Sequence, residues 1–177
     1  MKKILLIAIM FLLCSACERD SHKQVAVITY EQVQRRNENL YTIYFKSDID
    51  VLTIFDRSKG DGAEYQSFDC LLANEGNPNS NPPDSQKLSG FVEYDHPNDN
   101  HHFIVDALYY DSFSFGSSRR FMSGDDPVRL LRQRKNLTCV MYIKSMLYKP
   151  YRTKTMLIPT ADLIREIEKP LSKDDAN

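Results

Sequence analysis

The chain has no tryptophan, only six glycines and a formal net charge of −1 over its 177 residues. The missing tryptophan argues against an immunoglobulin domain, whose core is built around one. Leu137 argues the same way, because it stands two residues before Cys139, where that fold carries its corner tyrosine. A nearly balanced charge does not suggest general nucleic-acid binding. Beyond the amino-terminal CSAC there is no CxxC pair, and no P-loop, dinucleotide fingerprint or G-x-S-x-G elbow is present, so no cofactor is expected and no metal site or reaction is marked. Beyond the amino terminus no apolar run is long enough to cross a bilayer as a helix. There is no internal repeat.

What is present begins at residue 1. The opening MKKILLIAIMFLLCSAC places Lys2 and Lys3 before an apolar stretch, Ile4 to Leu13, of signal-peptide length. Ser15, Ala16 and Cys17 follow. This order resembles the lipobox of bacterial lipoproteins, with Cys14 where that family usually has Leu. The resemblance implies cleavage before Cys17, lipidation of that residue (palmitate) and attachment to a membrane. The same residues also read as an ordinary cleaved signal peptide. In Gram-negative lipoproteins an Asp after the lipidated Cys favours the inner membrane. Here Glu18 follows, which implies the periplasmic side of the outer membrane.

The expected organisation is a signal peptide at 1–16, a polar tether at 17–24, one globular domain at 25–170 and a disordered tail at 171–177. Of four cysteines, Cys14 leaves with the signal and Cys17 takes the lipid. Cys70 and Cys139 remain, and in an oxidising periplasm they are expected to form a disulfide. The closed loop would be worth about 4 kcal/mol. Two buried thiols are the other reading.

Most of the domain has strand periodicity. Strands are expected at Gln24 to Tyr30, Leu40 to Phe45, Val51 to Phe55, Tyr65 to Leu72, Leu88 to Tyr94, Phe103 to Tyr109, Asn136 to Tyr148 and Thr153 to Ile158. The link KSDID suggests a hairpin into Val51 to Phe55. Residues 74–87 are turn formers and read as a surface loop. Parity changes at Tyr109–Tyr110, which suggests a bulge or a strand break. Asp126 and Pro127 mark a helix start, with Val128 and Leu131 facing inward. Thr160 is expected to cap a last helix carrying Leu163, Ile164 and Ile167 on one stripe. The fold class expected is mainly β, an antiparallel β-sandwich or α+β sheet with two short helices near the C-terminus.

Candidate chemistry is sparse. His96, His101 and His102 lie among Asp95, Asp99 and Asp106, but adjacent residues on a strand point to opposite faces, and the segment reads as a turn. Ser112, Ser114, Ser117 and Ser118 lie in an aromatic stretch that reads as a strand end and loop. An enzyme is not expected. Charge is distributed unevenly: residues 17–112 hold 8 basic and 17 acidic side chains, and residues 113–177 hold 13 basic and 7 acidic. Such a division can steer a charged partner. Arg119 and Arg120 precede the first helix, and Arg129 and Arg132 lie three apart on it. These four are read as a basic partner-binding patch, since arginine binds carboxylates bidentately. Tyr148 and Tyr151, around Pro150, are read as interface anchors.

With its LLCSAC signal end, its size, its two remaining cysteines and the late segment CVMYIKSMLYKPYRTKTMLIP before a short helix, the chain resembles small periplasmic lipoproteins of enterobacteria described as type VI secretion immunity proteins. The resemblance implies a membrane-tethered inhibitor that binds and neutralises an incoming effector, such as a lipase acting on phospholipid. An accessory envelope lipoprotein that binds another membrane component is the alternative, and a periplasmic enzyme the third reading.

Overall fold

A computed structural model describes residues 24–55, 63–72, 85–113, 118–145 and 149–170. The strands are β1 (Ile28–Arg35), β2 (Leu40–Ser47), β3 (Ala63–Leu71), β4 (Ser85–Tyr94), β5 (His102–Phe113), β6 (Ser118–Phe121), β7 (Asn136–Ser145), β8 (Tyr151–Arg152) and β9 (Met156–Pro159). Among the described residues there are also two helices, α1 (Asp125–Leu131) and α2 (Thr160–Glu168). The strands form one antiparallel sheet in the order β1-β2-β5-β4-β3-β7-β8. Strand β6 takes over beside β5 where β2 leaves it, and β9 lies beside β7.

The mainly β, antiparallel expectation with two helices holds, and the strands form a single sheet that curls on itself. At one end the curl closes. The Lys154 N–H donates to the Ala26 carbonyl at 2.8 Å, and the Ala26 N–H donates to the Tyr151 hydroxyl at 2.6 Å. That hydroxyl in turn donates to the Gln24 carbonyl at 2.8 Å. At the other end α2 is pinned to β1. The Arg35 N–H reaches the Glu166 carboxylate at 3.2 Å, and the Arg35 guanidinium donates to the Ile167 carbonyl at 2.8 Å. Tyr30 donates to Asp162 at 3.0 Å. Glu166 is buried and also holds Lys169.

Period-2 alternation sends one face of each strand into the curl. Tyr41, Ile43 and Phe45 of β2, Phe68 and Cys70 of β3, Phe103, Val105, Ala107 and Tyr109 of β5, and Leu137, Cys139, Met141 and Ile143 of β7 are all buried there. Phe45 stacks between Phe68 and Phe103, with ring centroids 5.7 and 5.5 Å apart. Cys70 and Cys139 are directly paired across β3 and β7 and form the expected disulfide. It joins neighbouring strands of one sheet, unlike the inter-sheet bridge of immunoglobulin domains. Gly90 is required by the curl: a Cβ there would stand 2.1 Å from the Asp106 carbonyl oxygen of the adjacent strand.

Several expectations are corrected. Val51 to Phe55 is a turn and bend, although Val51 and Phe55 are buried. The KSDID link therefore makes no hairpin. Asp50 explains this: its carboxylate accepts the Leu52 N–H and the Tyr94 hydroxyl, which satisfies the backbone locally. The first strand starts at Ile28 and runs on to Arg35. No bulge interrupts β5 at Tyr109–Tyr110. Its register with β4 is continuous, and both tyrosines are buried because the two faces each cover one. Neither helix has the expected side-chain cap. Gly124, at φ 63°, precedes α1 and puts Asp126 inside the first turn. Pro159 precedes α2, and the Thr160 hydroxyl donates backwards to the Arg134 and Lys135 carbonyls. Most of the 74–87 loop, Tyr148 at the expected end of the long strand, and the 171–177 tail lie outside the described residues.

Candidate protein-docking surface

The outward parity of a half-buried sheet is normally polar. Here it is aromatic in its middle. Tyr65 of β3, Phe91 of β4 and Phe121 of β6 are 41, 61 and 65% exposed. The Tyr65 and Phe91 rings meet edge to face at 6.1 Å. The Arg119 guanidinium lies 5.0 Å above the Tyr110 ring. Between them opens a cavity of about 220 Å³, floored by Ser89 and Gly90 and walled by Tyr65, Phe91, Leu108, Arg119 and Phe121. Register explains the grouping: Phe91 pairs with Asp106, Lys87 with Tyr110, and Tyr110 with Phe121.

Beneath the aromatics lies a polar layer. The buried Lys87 ammonium is 3.9 Å from the buried Asp69 carboxylate, which also accepts the Ser89 hydroxyl at 2.5 Å. Burial draws the Lys87 ammonium below its ordinary range, with Asp69 pulling the other way. Burial raises the Tyr110 hydroxyl. Further along the same face the Thr42 hydroxyl donates to Asp106 at 2.5 Å and accepts from Arg36 at 2.9 Å. The surface thus offers exposed rings on a floor fixed by hydrogen bonds, with Arg119 at its rim. Rigid rings beside an arginine are the composition of interface anchors.

The arginines grouped in the sequence separate in space. Arg119 and Arg120 lie on opposite sides of β6, and Arg120 pairs with Asp111 at 3.3 Å. Arg129 and Arg132 line a different opening, a cleft of about 650 Å³ between the β1–β2 turn, the β6–α1 loop, α1 and the end of α2. There Arg129 lies 3.6 Å from Asp126 and Arg132 lies 2.8 Å from Glu168. Glu38 and Asp125 share the walls, so the cleft has mixed charge. Tyr151 is buried and clamps the segment Gln24–Ala26, so it cannot anchor a partner by its ring. Tyr148 and Cys17 lie outside the described residues.

The histidine cluster is a built turn. Asp99 accepts the His101 and His102 N–H groups and lies 2.7 Å from His102 Nδ1, while His101 Nδ1 contacts the Ser47 carbonyl at 3.0 Å. The hydrogen bond from the His101 N–H, and then that from the His102 side chain, hold Asp99 below the ordinary carboxylate range. Among the described residues no group of three or more His, Cys, Asp or Glu side chains is placed to hold a metal ion, and no helix is long and apolar enough to cross a membrane. Of the serines, Ser112 is buried in β5, Ser118 begins β6, and Ser114 and Ser117 lie outside the described residues.

Sequence reasoning missed Tyr65, Phe91 and Phe121. The available signal was parity: Phe91 stands between Gly90 and Val92 on the outward side, opposite to the core set of Leu88 and Val92. Compared with known proteins, the chain matches no family model, no curated protein and no solved structure.

Proposed function

We propose that the chain is a lipid-anchored periplasmic protein that binds and neutralises a type VI secretion effector. The observation that carries the binding part is the exposed trio Tyr65, Phe91 and Phe121 beside Arg119 on the outer face of the sheet. Desolvating such rings against a complementary protein supplies most of the free energy of a compact interface. The Cys70–Cys139 bridge is consistent with an oxidising compartment. The opening seventeen residues supply the anchor, and anchoring raises the local concentration of an inhibitor where a membrane-active toxin works.

Deleting the gene is expected to sensitise cells to effectors encoded beside it. Restoring the parent chain rescues them, and the double variant Phe91→Ser, Phe121→Ser does not, although it accumulates and forms its disulfide. Resistance of the deletion strain to every neighbouring effector would overturn the effector reading. Full rescue by the double variant would overturn the assignment of the face. Mass spectrometry of the mature amino terminus tests the Cys17 lipid separately.

A further inference from the structure

We infer that the end of the sheet where the chain enters the fold rests on an anionic phospholipid surface, through the basic β7–β8 hairpin. The inference builds on the proposed Cys17 anchor and asks which face the anchor turns toward the bilayer. Six residues separate Cys17 from Gln24. Whatever path they take, they span at most about 25 Å. A domain of this length is on the order of 40 Å across, so reaching its far side would take a path of roughly 60 Å along the surface. The surface around Gln24 must therefore face the membrane.

That position is fixed by hydrogen bonds. The Tyr151 hydroxyl grips Gln24 and Ala26, and Lys154 grips Ala26. The strands that hold it are one-signed: between Asn136 and Thr160 there are four basic residues, Lys144, Lys149, Arg152 and Lys154, and no acidic one. Register places Tyr142 against Arg152 and Ile143 against Tyr151, which gathers these cations around the entry point. Lys144, Lys149 and Lys154 are exposed. Val25 and Val27 flank the buried Ala26 and are 48 and 39% exposed, so they offer apolar contact at the same place. Acidic side chains at this end come from other elements. Asp48 accepts the Val27 N–H beside β1, and Asp50, Asp95 and Asp99 belong to the turns on the β2–β5–β4 side of the curl. Attraction thus pulls the hairpin side down and leaves the acidic turns lifted. Each basic residue near an anionic surface contributes on the order of 1 kcal/mol.

The absence of tryptophan makes the test direct. Val27→Trp is introduced into the full mature protein and reconstituted in vesicles of phosphatidylethanolamine and phosphatidylglycerol containing brominated phospholipid. Val25→Trp serves if that variant does not fold. Glu38→Trp, on the β1–β2 turn at the opposite end, is the reference. Expected is Val27→Trp quenching at least several-fold above that of Glu38→Trp. It should fall by roughly half in purely zwitterionic vesicles or with Lys144→Gln, Lys154→Gln. Protein that floats with the vesicles but quenches equally at both positions keeps its anchor and overturns the proposed face. Quenching that ignores lipid charge overturns the role of the hairpin. Protein that does not float overturns the anchor, and the inference with it.

Discussion

The two faces of one sheet use the same residue types for different ends. Inside the curl, Phe45 is enclosed by Phe68 and Phe103 and fully buried. Outside, Phe91 and Phe121 stand exposed over a buried ion pair. Strand β4 alternates the buried Leu88 and Val92 with the exposed Phe91, so a single backbone serves folding on one side and the proposed recognition on the other. Burial separates the two roles, and residue identity does not.

The comparison is tested hardest by cutting an inner ring. Phe45→Ala removes the ring that makes both stacking contacts and leaves a cavity, and should cost about 3–5 kcal/mol in urea unfolding. A loss below 1 kcal/mol would mean that the inner face is not the packed one. Gly90→Ala comes next. Its methyl group would meet the Asp106 carbonyl, a backbone atom that cannot swing aside. A loss of about 1–3 kcal/mol is expected by the same measurement. Phe91→Ser and Phe121→Ser should each change stability by no more than about 0.5 kcal/mol, because exposed rings lose little on truncation. A larger loss would show that these rings support the fold. The smallest effect is at Asp99. Its carboxyl is held below its ordinary value, so its contribution is present above the unfolded carboxylate pKa near 4 and is lost as pH falls through the folded value. Parent and Asp99→Asn stability curves should therefore differ at neutral pH and converge at the acid end. A constant gap would reject the linkage.

Strands were legible where one face is buried and the alternation is strict, as in β2, β3 and the first part of β7. The sequence misled where side chains satisfy the backbone locally. Val51 to Phe55 has a strand's composition, yet the Asp50 carboxylate turns the chain there. It also misled where both faces are covered, since Tyr109 and Tyr110 then imitate a parity break. The docking face was harder to read, because exposure is set by what neighbouring strands leave uncovered. The four arginines are not brought together for a related reason: Arg119 and Arg120 are adjacent in sequence, and a strand sends adjacent side chains apart.

The tie between β1 and α2 has a kinetic consequence. Arg35 is fastened to Ile167 across 132 residues, and Ala26 to Tyr151 across 125. The first strand must wait for α2, more than a hundred residues later, before its edge is covered. Contacts this distant in sequence slow folding and prolong the life of open intermediates. Until α2 forms, that edge of the sheet therefore stays uncovered, and closure of the curl is a late step of folding.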